Sequence, residues 1–73
     1  MMSSQNAMEI VARGSGLILN ASDYDAAALK DLANRAATGQ GLLILRQCAG
    51  VAPATVLEIA SRGQGRVIFD YTD

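Results

Sequence analysis

A Gly-x-Gly turn leading into a short apolar run occurs three times in this chain, and it limits the possible folds more than any other feature. Gly14-Ser15-Gly16 precedes Leu17-Ile18-Leu19-Asn20, Gly39-Gln40-Gly41 precedes Leu42-Leu43-Ile44-Leu45-Arg46, and Gly63-Gln64-Gly65 precedes Val67-Ile68-Phe69-Asp70. Each run has the residue types and the length of a strand bounded by turn residues. The stretches between the runs are patterned as helices. Asp25 is placed to cap a helix over about 26–37, whose Leu29, Leu32, Ala33 and Ala36 fall at i, i+3, i+4 and i+7. Tyr24, just before that cap, can pack on Leu29 as a hydrophobic staple. Twenty-seven residues later Val51, Ala52 and Val56 take the places of Tyr24, Asp25 and Leu29, and Pro53 stands at the first helical position, where its missing N–H costs nothing. This second helix should cover about 53–62, with Ile59 and Ala60 in the roles of Leu32 and Ala33. Matching caps and staples argue for an internal repeat.

The expected fold is therefore α/β, built on a small repeated βα unit. Three parallel strands should lie side by side with two helices on one face, because helical crossovers between parallel strands keep one hand. Residues 8–13 alternate loosely, Met8, Ile10 and Ala12 against Glu9, Val11 and Arg13, and read as an extra N-terminal strand or hairpin arm. Residues 1–7 carry no periodicity and read as a flexible tail, leaving residues 8–73 as the single domain.

At 73 residues the chain is near the size where only about 60% of the unfolded surface is buried on folding. Its apolar fraction of 51% is rich in alanine, with one Phe, two Tyr and no Trp, so each buried position contributes little area. Both facts favour association with another polypeptide or with itself, and a homo-oligomer is expected. The net charge is −1 and the six Lys and Arg are scattered singly, which excludes a concentrated nucleic-acid footprint. One cysteine cannot form an internal disulfide, so a reducing, cytoplasmic setting is expected. The first six residues are polar with no basic segment or apolar run behind them, unlike a signal peptide, and no apolar run approaches the ~20 residues of a bilayer span.

Side chains alternate along a strand, so aligning the three runs sorts them into two faces. Leu17, Leu19, Leu43, Leu45, Val67 and Phe69 form the larger apolar set and should face the helices. Ile18, Ile44 and Ile68 form a row on the other face, bordered by Asn20, Arg46 and Asp70 at one end and by Gly16, Leu42 and Arg66 at the other. Parallel sheets are normally covered on both faces, and exposed apolar patches mark binding surfaces. The row would be covered by residues 8–13, by another copy, or by a separate partner. The free edge at 66–71 could also pair with another chain.

The L-x-L spacing of Leu17-Ile18-Leu19 and Leu43-Ile44-Leu45, echoed by Val67-Ile68-Phe69, with a helix after each of the first two, resembles a short leucine-rich-repeat-like βα module over about 14–71. The asparagine that family carries after the strand appears here as Asn20, with Arg46 and Asp70 in the other two positions. The resemblance implies that the middle residues Ile18, Ile44 and Ile68 face a protein-binding surface. It also implies terminal capping repeats, which this stretch lacks.

Catalytic groups are scarce. Cys48 lies just past the carboxyl end of the second strand, where open α/β sheets bind ligands, with Arg46 two residues before it. It reads as a half-buried loop cysteine, since the chain has no histidine to serve as a general base or metal ligand. The Gly-Gln-Gly turns each precede a strand, whereas a phosphate cradle follows a strand and opens a helix, so they read as helix ends. Asp23, Asp25 and Asp31 lack the spacing of a cation site. Arg46, Arg66 and Asp70 could form cross-strand ion pairs that orient a partner. The expected function is thus a non-enzymatic interaction protein, an adaptor, inhibitor or regulatory partner without cofactor or metal. It would present Ile18, Ile44 and Ile68, with Leu42, Arg46, Arg66 and Asp70 around them, to another polypeptide. The alternatives are a self-assembling structural protein and a thiol enzyme using Cys48.

Overall fold

A computed structural model describes residues 2–72, in which helices and strands alternate: α1 Ser4–Ala12, β1 Gly16–Asn20, α2 Ala26–Gly39, β2 Leu42–Arg46, α3 Pro53–Gly63 and β3 Val67–Phe69. A single turn of 3-10 helix follows each of the first two strands, at Ala21–Asp23 and Cys48–Gly50. The strands form one parallel sheet in the order β1-β2-β3. Leu43 stands opposite both Leu17 and Val67, Ile44 opposite Ile18 and Ile68, and Leu45 opposite Leu19 and Phe69. This is the α/β class and strand alignment expected from the three apolar runs.

The N-terminal segment differs from its expected form. Residues 8–13 are not a strand, and residues 4–7 belong to ordered structure, because both lie in or at the end of helix α1. The Ser3 side chain caps this helix by accepting from the Asn6 N–H at 3.2 Å. Ala7 and Val11, four apart, are fully buried against the core, while Gln5, Glu9 and Arg13 line the opposite, exposed side. The buried seam is the i, i+4 pair Ala7 and Val11, whereas Met8, Ile10 and Ala12, which suggested alternation over a short window, are only partly buried. At its end, Gly14 adopts a φ of 89°, with Gly14 N–H bonded to Val11 C=O and Ser15 N–H to Ile10 C=O, a Schellman closure.

Helix α2 follows the sequence closely. Asp25 Oδ1 accepts from Ala28 N–H at 2.8 Å, and Leu29, Leu32, Ala33 and Ala36 are its buried residues. Helix α3 begins with Pro53 in its first turn after an uncapped Ala52. Tyr24 packs against the core beside the start of α2, and its hydroxyl donates to Met2 C=O. Burial of the ring, with Asp23 nearby, raises the Tyr24 pKa and keeps it a donor.

The leading glycine of each Gly-Gln-Gly turn has a different task from the one its position suggests, whereas Gly65 holds a left-handed φ of 83° with open space around it. Gly39 and Gly63 are the last helical residues, and the left-handed position falls on Gln40 (φ 60°) and Gln64 (φ 50°). A Cβ on Gly39 would lie 2.2 Å from Ala12 O, and one on Gly63 would lie 2.5 Å from Val67 Cγ2. Glycine is therefore needed for close packing of α2 on the end of α1 and of α3 on β3, and the neighbouring glutamines carry the unfavourable φ. We expect Gly39→Ala to destabilise the fold by about 3 kcal/mol, an overpacked backbone contact, and Gln40→Gly to be neutral or stabilising by about 0.5 kcal/mol. Urea unfolding distinguishes this from a turn that needs glycine only for its φ, in which the two effects would exchange places.

The two crossover helices differ at their starts in a way that can be corrected. Ala52 has extended φ and ψ of −59° and 140° but offers no side-chain acceptor. Ala52→Asp should supply the cap that Asp25 gives α2, raising unfolding free energy by about 1 kcal/mol, with Asp25→Ala lowering it by a similar amount. No gain from Ala52→Asp in chemical denaturation would refute this equivalence.

Glu58 ties α3 to α2. Its Oε1 lies 3.1 Å from Lys30 Nζ and its Oε2 accepts from Arg62 Nη2 at 2.9 Å. The hydrogen bond from Lys30, then that from Arg62, hold its carboxyl below the ordinary 4.5. A folded-state pKa below the unfolded one means that ionisation favours the fold. The contribution is complete above the ordinary carboxylate value and is lost as pH falls through the lowered one. Glu58→Gln should accordingly have a lower melting temperature than wild type at neutral pH. The gap should close as the pH drops below 4.5; a gap that persists into acid would locate the effect elsewhere.

Candidate functional site

All three helices cover the face of the sheet that carries Leu17, Leu19, Leu43, Leu45, Val67 and Phe69, which are buried or packed against the core. The other face carries Ile18, Ile44 and Ile68, one per strand and in register. Ile18 is 64% exposed, Ile68 48% and Leu42 38%, with Ile44 between them half-buried. Helix α1 joins the helix layer through Ala7 and Val11, so residues 8–13 do not cover this row. The faces are set by strand parity and by the fact that both crossovers return on the same side.

Polar groups stand at the two ends of the row. At the carboxyl end, Arg46 is in register with Asn20, and its Nε lies 3.4 Å from Asp70 Oδ2. Asp70 Oδ1 accepts from Thr72 N at 2.9 Å and from Thr72 Oγ1 at 2.6 Å. These two bonds, with Arg46 as a lesser contributor, lower the Asp70 pKa and keep the carboxylate charged. At the amino end, Arg66 Nη1 donates to Gln40 C=O at 3.4 Å, reaching a turn carbonyl beside Gly16 and Leu42. The face is therefore an apolar strip across three strands, two spacings or about 10 Å between the outer ones, with a carboxylate–guanidinium pair at one end and a guanidinium at the other.

Cys48 is more deeply placed than a half-buried loop residue. It is 2% exposed, in the 3-10 turn after β2, and its Sγ donates to Leu45 C=O at 3.1 Å. The equivalent place after β1 is Ala21, also 2% exposed. Cys48 thus fills the seat of a small apolar residue.

A second concavity lies at the carboxyl ends of the strands, between the starts of α2 and α3. This cleft of about 480 Å³ is lined by Ala21, Ser22, Tyr24, Gln47, Val51 and Thr55 among others. Ser22 Oγ donates to Gln47 Oε1 at 2.8 Å across it, bridging the turns after β1 and β2. Its walls offer hydroxyl and amide groups and no charge. The cleft could have been anticipated from the rule that open α/β sheets leave a crevice beyond the strand ends, but its walls come from segments 25 residues apart, which no local pattern joins. Among the described residues no group of three or more Cys, Asp or Glu could hold a metal ion, and no helix is long and apolar enough to cross a membrane.

Compared with known proteins, the chain matches no family model, no curated protein and no solved structure.

Proposed function

We propose that this protein is a non-enzymatic interaction module that binds another polypeptide through the open face of its sheet, without cofactor or metal, in a reducing compartment. The observation that carries the reading is the in-register row Ile18, Ile44 and Ile68 on a parallel sheet whose helices all lie on the opposite face. A parallel sheet in water with 64% of Ile18 and 48% of Ile68 accessible keeps apolar surface that burial would stabilise by about 25 cal/mol per Å². The Arg46–Asp70 pair and Arg66 at the ends of the row would align the partner and suppress mismatched ones, contributing more to orientation than to affinity. The resemblance to leucine-rich-repeat modules, in which the middle residue of the strand triplet faces the ligand, points to the same three isoleucines. A thiol enzyme draws no support from Cys48, whose sulfur is inside the core.

Ile44→Asp is the direct test, because it buries an unpaired carboxylate at the centre of the contact. It should weaken association by more than about 2 kcal/mol, roughly thirtyfold in Kd, while the helical circular dichroism remains. Affinity isolation with wild type and Ile44→Asp side by side identifies the partner as the polypeptide retained by the first and lost by the second. Equal retention by both would remove the sheet face from consideration.

A further inference from the structure

The helix layer and the sheet end differently on their two sides. On the first side α1 closes the layer with Gln5, Glu9 and Arg13 turned outward, and Arg13 Nη2 lies 3.3 Å from Glu9 Oε1 in water. On the last side α3 shows Pro53, Leu57 and Ala60, all exposed, with Leu57 71% accessible. The corresponding positions of α2, twenty-seven residues earlier, are Ala26, Lys30 and Ala33. Ala33 is fully buried beneath α3, near Gly63, and Lys30 reaches across to Glu58. Ala60 is exposed where Ala33 is buried because, among the described residues, no helix packs over α3 as α3 packs over α2.

The concavities repeat this difference. One wall of the cleft between α2 and α3 is Ala21, Ser22, Tyr24, Ala26 and Leu29, and the other comes from the segment 47–55. A second depression of about 420 Å³ is lined by Cys48, Ala49, Val51, Pro53 and Val56, which are the same five positions moved on by twenty-seven, together with Leu57 and Tyr71. It has the first wall of such a cleft and lacks the second. Beside it runs the outer edge of β3. Arg66 C=O and Asp70 N–H bond to Leu43 and Leu45 of β2, so the alternation of a parallel pair turns the N–H and C=O groups of Val67 and Phe69 away from β2.

We infer that a second copy of this chain docks here about a two-fold axis, β3 against β3 antiparallel and α3 against α3. Such an interface places one surface on itself, and the helix stripe suits that because Pro53, Leu57 and Ala60 bring no like charges together. The nearest carboxylate, Glu58, is turned toward α2 by Lys30. A head-to-tail stack is disfavoured, since it would press the hydrated Glu9–Arg13 side of α1 onto the apolar stripe. In the two-fold arrangement Val67 of one copy and Phe69 of the other exchange both backbone hydrogen bonds, and Ile68 faces its own counterpart. The sheet becomes six strands wide with a single row of isoleucines across its open face. The two surfaces share Ile68, but Ile44 lies outside the dimer contact and Leu57 outside the open face, so dimerisation and partner binding can fail independently.

Sedimentation of the full chain from micromolar to millimolar concentration, with Leu57→Glu and Leu57→Lys, tests the inference. Wild type should show a saturable monomer–dimer equilibrium, each variant alone should raise the dissociation constant at least about tenfold, and an equimolar mixture of the two should restore the dimer. Amide exchange of Val67 and Phe69 in wild type should slow as concentration rises, a readout that does not depend on either variant folding. A wild type that stays monomeric at millimolar concentration, a polymer that grows without limit, or mixed variants that do not recombine would each overturn it. Ile44→Asp should leave the dimer intact, which distinguishes this outcome from failure of the sheet-face reading.

Discussion

The pairing of Leu43 with Leu17 on one side and Val67 on the other is the constraint from which the remaining structure follows. With side chains alternating at a period of two, that register sends Leu19, Leu43 and Leu45 into the core and leaves every isoleucine of the row outside. A slip of one residue in β2 would turn Leu43 and Leu45 out and bring Leu42, Ile44 and Arg46 in, placing a guanidinium against the core. The helices then occupy the leucine face, and among the described residues no helix covers the isoleucine row on the second face.

Holding three helices over a sheet only three strands wide requires that they approach closely, and the chain does this with small residues instead of large interlocking ones. Ala7, Ala33 and Ala36 are fully buried, and Gly39 and Gly63 stand where a methyl group would meet backbone or Val67. The cost appears one residue later, where Gln40 and Gln64 adopt a left-handed conformation that a glycine would hold more easily. Each turn thus subordinates backbone preference to packing. The alanine-rich composition, which limits the area any one position buries, is the same property that lets the layer close.

These priorities explain how far the amino-acid pattern could be read. Strand position, parity and the starts of α2 and α3 were legible because Leu17, Leu43 and Val67 and the Leu29–Ala36 stripe repeat a period over enough residues to exclude the other choice, while both helices run on past their expected ends to include Gly39 and Gly63. Helix α1 was not, because its seam is only Ala7 and Val11 and two residues fit either period. Its Ser3 cap and the Glu9–Arg13 spacing were signals that could have separated them. The glycines were legible as turns but not as close contacts, since nothing local to Gly39 reveals that Ala12 will lie against it. Full burial of Cys48 was hidden for the same reason. It depends on a turn after β2 that takes the shape of the turn after β1, which places Ala21 and Cys48 in equivalent seats.

The isolated chain is also uneven in how it meets water. Its first side is finished: α1 has a capped start, a Schellman end and a charged outer line. Its last side stops at a three-residue edge strand beside an exposed Leu57, and its lower sheet face carries an exposed isoleucine row. Charge, proline or a bulge on the outer strand is how proteins usually protect such an edge, and β3 itself, Val67-Ile68-Phe69, has none of them. Arg66 and Asp70 flank it, but Arg66 turns to the Gln40 carbonyl and Asp70 pairs with Arg46, so both charges lean back across the sheet and leave the outer edge uncovered. The described residues thus divide into a first side lined by polar and charged groups and a last side and lower face that keep apolar surface in water.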